Sequence, residues 1–175
     1  MAAELKDIFA TLQSHLRERP DEAAATFGAA TRQLEGLRSE AAIRDFRLTV
    51  DEPPALGGRD AGPDPVELVL AALGACQEIT YRLYADSLGI PLNHVSVKVE
   101  GRLDLRGFFA VEDGVRPGFR DIRATVEIDS PAGAEEIERL KATVDRRCPV
   151  LDILRNVTPT KLEVVRNSGR QPVAA

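Results

Sequence analysis

Tryptophan is absent from this chain, and aromatic residues are only 5% of its 175 residues. A platform for stacking nucleic-acid bases needs exposed rings, so this scarcity argues against one. Histidine occurs only as His15 and His94, far apart and each alone. With two cysteines besides, a metal centre of several His and Cys ligands is not expected. No G-x-G-x-x-G follows a strand pattern and no G-x-x-x-x-G-K-[ST] occurs, so the signatures of nucleotide binding are missing. No cofactor is called for. The longest apolar run, Leu68 to Cys76, falls far short of the ~20 residues that cross a bilayer. Met1-Ala2-Ala3-Glu4-Leu5-Lys6-Asp7 has neither the basic start nor the apolar core of a secretory signal, so the expected compartment is the cytoplasm. A net charge of −5 makes the chain a poor general ligand for nucleic acid or anionic membranes.

What is present suits one soluble domain with an extension. Leu5, Ile8, Phe9, Leu12 and Leu16 recur at helical spacing until Pro20 stops them. Asp21 suits the cap of a short second helix through Ala23, Ala24 and Ala25. Residues 1–30 are therefore expected to form a helical extension, 31–167 the main domain, and 168–175 a frayed tail. The apolar stripe of the extension must pack on its own domain or on a second subunit.

From Thr31 the period shifts toward two. Gly36 and Ser39 suit a hairpin turn. Phe46, Leu48 and Val50 alternate with polar residues, as in a half-buried strand. The stretch Pro53 to Pro65 is a Pro- and Gly-rich loop that ends in a helix start, with Asp64 as cap and Pro65 at the first helical position. That helix is expected to run to about Leu88, where Gly89 and Pro91 end it. Its first half, Val66 to Ala75, is apolar nearly all round, which predicts burial on most sides. Val95, Val97, Val99, Leu103 and Leu105 predict a strand, and Ile122, Ala124, Val126 and Ile128 another. Ile137, Leu140 and Val144 mark a helix, Pro149 to Leu154 a shorter one, and Leu162 with Val164 a last strand. Strand groups separated by helices predict an α+β fold with antiparallel sheets.

Cys76 and Cys148 lie 72 residues apart, so only the fold can bring them together. A lone cysteine is ordinarily a small buried apolar residue. Cys148 has the better local case for reactivity. It precedes Pro149 at a helix start, where unpaired N–H groups and the helix dipole favour a thiolate, and Arg146 and Arg147 add positive charge. Cys76 shares a helix face with Val69, Leu73, Thr80 and Leu83, where apolar surroundings raise a thiol pKa. Reactivity at Cys76 needs a cation from elsewhere, with Arg38 and Arg59 as candidates.

The stretch from Gly57 to Cys76, with its Gly-rich loop and Pro-led apolar helix, resembles the OsmC/organic hydroperoxide resistance family. Arg147-Cys148-Pro149-Val150 resembles that family's second signature. The resemblance covers roughly Thr31 to Val165 and leaves out the N-terminal helix. It implies an OsmC-like α+β fold in which antiparallel sheets wrap central helices of an intertwined homodimer. It implies that Cys76 attacks a peroxide and Cys148 resolves the resulting sulfenic acid as a Cys76–Cys148 disulfide. It implies organic hydroperoxides as substrates and an external dithiol, lipoyl-type in some members, as reductant. One departure stands out. Peroxidase members carry a Glu ten residues before the first cysteine, and Val66 stands there. Glu67 is one position on, ~100° around the helix, and cannot simply substitute.

Two functions follow as expectations. The first is a thiol peroxidase for organic hydroperoxides in oxidative-stress defence. The second is a thiol-lined dimer that binds a small hydrophobic or thiol-bearing ligand without turning it over.

Overall fold

The computed structural model describes residues 2–166. The chain opens with α1 (Ala2–Glu18) and a 3-10 turn (Pro20–Glu22), then β1 (Ala30–Glu35), β2 (Arg38–Ile43) and β3 (Phe46–Val50). A long loop leads to α2 (Pro65–Leu88) and β4 (His94–Arg102). The short α3 (Leu105–Phe108), β5 (Asp121–Asp129), α4 (Ala134–Arg147) and α5 (Pro149–Arg155) complete it. The expected α+β class is what forms, with two antiparallel sheets, β1-β2-β3 and β4-β5.

The ends of α2 are set by local chemistry. Asp64 Oδ1 accepts from the Glu67 N–H at 2.8 Å, and Glu67 Oε2 accepts from the Asp64 N–H at 3.0 Å. This reciprocal capping box satisfies two donors that the first turn leaves free. Gly89 closes the helix in the left-handed conformation, φ 68°.

The core gathers around the C-terminal half of α2. Tyr81, Ala85, Ile90, Leu92, Leu140 and Val144 are buried together, with Val95, Val126 and Ile128 of the β4–β5 sheet packed against them. Val97 faces Val126 and Val95 faces Ile128 across the ladder, as the alternating pattern requires. α1 lies on α2, where Phe9 meets Tyr84 edge to face at 5.3 Å.

Several expectations need correction. The hairpin turns at Gly36–Leu37, and Ser39 sits inside β2 opposite Gln33 and Val50. Asp21 lies within a three-residue 3-10 turn, and Ala23 to Ala25 form no helix because they face solvent with nothing to pack on. β4 stops at Arg102: the Asp104 carboxylate accepts from the Arg106 N–H at 3.1 Å and starts α3, which takes Leu105 out of the strand. Leu162 and Val164 lie in an irregular segment, both more than 90% exposed, because no strand among the described residues pairs with them.

The largest difference concerns burial. Phe46 is 64% exposed and Leu48 36%, not half-buried. Val66 and Val69 are each 37% exposed, and Ala71, Ala72 and Ala75 also face solvent. Among the described residues no helix packs extensively on the β1–β3 sheet, so its apolar groups stay bare. The expected tail, 168–175, lies outside the described residues.

Candidate active site

Cys76 stands midway along α2, and Cys148 at the junction of α4 and α5. Pro149 cannot continue α4 with a backbone donor, so the chain turns there and starts a new helix. α5 then packs on α2. The result is a contact of 3.2 Å between the Cys148 and Cys76 Sγ atoms. Both thiols are free. The fold thus joins the two cysteines that the sequence keeps 72 residues apart.

The environments differ. Cys148 is 1% exposed, and its N–H is engaged by the Val144 carbonyl at 2.9 Å. Cys76 is partly exposed, the more open of the two residues. Burial pushes the Cys76 thiol above its ordinary pKa. The Val150 backbone N–H opposes that shift, the Cys148 thiol adds to it, and the Thr80 hydroxyl opposes it. Thr80 Oγ1 also donates to the Cys76 carbonyl at 2.6 Å.

This reverses the local argument from sequence. The free N–H at the start of α5 bears on Cys76, while the Cys148 side chain makes no capping hydrogen bond. Arg146 and Arg147 line a groove beside α1 instead. Sequence reasoning named neither Val150 nor Thr80 as a partner of the thiol. The signal for Val150 was its place just after Cys148-Pro149, in a first helical turn whose donors are unpaired.

The candidate arginines are elsewhere in the chain. The Arg59 Nη2 atom meets Glu35 Oε1 at 3.1 Å, and Arg38 Nη2 stands 3.8 Å from Glu35 Oε2. The Arg38 Nε is buried without a partner among the described residues. Neither guanidinium is among the groups that shift Cys76. Asp51 organises the loop that carries Arg59. Its carboxylate accepts from the N–H groups of Glu52 (2.9 Å), Arg59 (3.1 Å) and Ala61 (3.2 Å). Burial pushes the Asp51 carboxyl up, but those donors and Arg38 outweigh it and hold it below its ordinary pKa. The loop passes so close to Glu52 that a Cβ on Gly58 would stand 1.8 Å from the Glu52 carbonyl oxygen. Glu67 is engaged in the capping box, and it pairs with no arginine among the described residues.

Among the described residues no helix is long and apolar enough to cross a membrane, and no group of three or more His, Cys, Asp or Glu is placed to hold a metal.

Known proteins share this layout. The family model described as OsmC-like protein matches residues 57–163, which include both cysteines and exclude α1. A hydroperoxide reductase of Mycoplasma pneumoniae is 31% identical over 130 residues, 72% of this chain and 85% of that protein. A solved OsmC-like protein from Mycoplasma pneumoniae superposes with a TM-score of 0.66 at 25% identity, covering 76% of this chain and 89% of that one. An organic hydroperoxide resistance protein OsmC from Legionella pneumophila has the same fold, at a TM-score of 0.59 and 24% identity, covering 75% and 92%. The extent of the family match, and the OsmC-like fold behind it, establish that the chain belongs to the OsmC-like protein family.

Proposed function

We propose that the chain is a thiol-dependent peroxidase that reduces organic hydroperoxides in oxidative-stress defence. The observation that carries the reading is the 3.2 Å contact between Cys76 and Cys148. Similarity to a hydroperoxide reductase at 31% identity supports it. In this reading the Cys76 thiolate attacks the outer peroxide oxygen. The O–O bond breaks, the leaving alkoxide takes a proton to become an alcohol, and Cys76 becomes a sulfenic acid. The Cys148 sulfur then attacks the Cys76 sulfur. The S–O bond breaks, water leaves with the Cys148 proton, and a disulfide forms. An external dithiol, lipoyl-type or similar, restores both thiols by exchange and is itself oxidised to a disulfide. The compartment is the cytoplasm, where reductants keep thiols reduced.

The working unit in this reading is an intertwined homodimer of residues 31–167, with residues 1–30 as an extension. The bare faces of the β1–β3 sheet and of the first half of α2 support it, since a second copy docked there would bury both. The cation that Cys76 lacks among the described residues of its own chain then comes from the sheet side of the second copy, where Arg38 and Arg59 sit. With Val66 in place of the carboxylate found in peroxidase relatives, Glu35 and Asp51 take over the orientation of those arginines.

The test treats reduced protein with one equivalent of cumene hydroperoxide and, separately, of hydrogen peroxide. Peroxide loss and mass mapping should show a Cys76–Cys148 disulfide that forms faster with the organic peroxide. Cys148→Ser should leave Cys76 as a sulfenic or over-oxidised acid. Two unchanged thiols would overturn the reading in favour of a dimer that binds a small hydrophobic or thiol-bearing ligand without turnover. The replacement of Glu by Val66 and the raised Cys76 pKa favour that second reading.

A further inference from the structure

A cavity of about 560 Å³ opens between α2, β5, α4 and α5. That size lies in the ~300–1,000 Å³ range of small-molecule sites. Cys76 precedes Gln77, which lines the cavity, yet its own sulfur is not part of the wall. Leu73, Ile122, Val126 and Leu151 make apolar walls. On the floor stand Gln77, 4% exposed, and Tyr81, 2% exposed, one helical turn apart. Among the described residues no protein group hydrogen-bonds the Gln77 amide or the Tyr81 hydroxyl. Both residues line the cavity. They offer polar ends beside the apolar walls, as small-molecule sites commonly do. Burial pushes the Tyr81 phenol up to about 12, with Asp145 and Glu138 adding to the shift, so it remains a hydrogen-bond donor at neutral pH.

The charges around the cavity sort in the same direction. Arg120 is held by Asp104, Lys141 by Asp145 at 2.8 Å, and Asp121 by Arg102 at 3.0 Å. Arg116 and Arg155 also line the cavity, and neither pairs with a carboxylate among the described residues. Among the described residues the lining thus keeps two cations without a carboxylate partner, both on the exposed rim.

We infer that this cavity binds an organic monoanion, a carboxylate on an alkyl or aryl body. Arg116 and Arg155 take the carboxylate, Gln77 and Tyr81 donate to it or to a polar group beside it, and the apolar walls take the body. A planar guanidinium matches a carboxylate in two parallel hydrogen bonds. A small inorganic anion would leave the apolar walls unused. The inference goes beyond the peroxidase reading, because no peroxide chemistry enters it and the thiol is not in the wall.

The test is calorimetric titration of the full chain, in its native oligomeric state, with decanoate, decanol and inorganic phosphate. Decanoate should bind at least roughly tenfold tighter than either control, the size expected of one charge-assisted contact. The double variant Arg116→Ala/Arg155→Ala should weaken decanoate by roughly tenfold or more and erase its advantage over decanol. Gln77→Leu should weaken decanoate while decanol binding holds. Cys76→Ser should keep decanoate affinity, which separates this site from the thiol chemistry. The inference is overturned if decanol or phosphate matches decanoate, or if the double arginine variant binds decanoate as before. It is equally overturned if Cys76→Ser abolishes binding, or if the full chain takes up no decanoate because a second copy fills the cavity.

Discussion

The two halves of α2 live in different surroundings. The C-terminal half is enclosed by its own chain: Tyr81 and Ala85 pack with Leu140 and Val144 of α4 and with the β4–β5 sheet. The N-terminal half carries a more continuous apolar run, yet Val66, Val69, Ala72 and Ala75 face solvent. The β1–β3 sheet shows the same condition, with Phe46 and Leu48 uncovered. Hydrophobicity alone therefore does not locate the core. The half of the helix with more polar residues is the better buried, because α4 and β4–β5 follow it closely in the chain. Cys76 sits where the two regimes meet.

The strongest way to break this contrast is to charge the bare sheet. Phe46→Asp with Leu48→Asp should weaken self-association by about a thousandfold in sedimentation equilibrium, the cost of two lost interface anchors. An unchanged mass would mean that the sheet is covered by nothing. Next in size is the enclosed half. Leu140→Ala should cost about 2–5 kcal/mol in denaturant unfolding, because it opens a cavity in a closed core. The same truncation at Phe46, measured on the dissociated chain, should cost almost nothing.

Cys76 sharpens the comparison through pH. Burial favours its neutral thiol, so thiolate appears only as pH rises, and within one chain alkylation should accelerate with a midpoint above the usual ~8.5. If a second copy supplies a cation, the associated protein should alkylate about tenfold faster at pH 7 than the Phe46→Asp/Leu48→Asp form, one pKa unit being a factor of ten. Equal rates would place the activating group within the chain or remove it altogether. The smallest effect is at the helix start: Asp64→Ala should cost about 1 kcal/mol by removing the cap on the Glu67 N–H.

Local chemistry was legible in the sequence. Asp64-Pro65 and Gly89 bounded α2 because caps act within one turn of chain. The alternation of Val95 to Val99 with Ile122 to Ile128 gave the paired strands. Leu105 misled because Asp104 offers a helix cap that competes with the strand. Phe46 and Leu48 misled differently: alternation says which face is apolar, not which chain covers it. The thiol pair was legible only as two motifs. That the first-turn donor beside Cys148 serves Cys76 depends on how α5 lies against α2, which no local pattern records.

The Cys76–Cys148 contact also has a meaning in polymer terms. A bond there ties off 72 residues of chain, from mid-α2 through β4, β5 and α4. That loop contains most of the enclosed core and none of the β1–β3 sheet. Closing it removes loop entropy from the unfolded chain, about 4 kcal/mol by the simple entropic estimate. Oxidation would therefore brace the self-sufficient half of the molecule and leave the uncovered half as it was. Each turn of a redox cycle would then tighten and release the scaffold from which the thiols act.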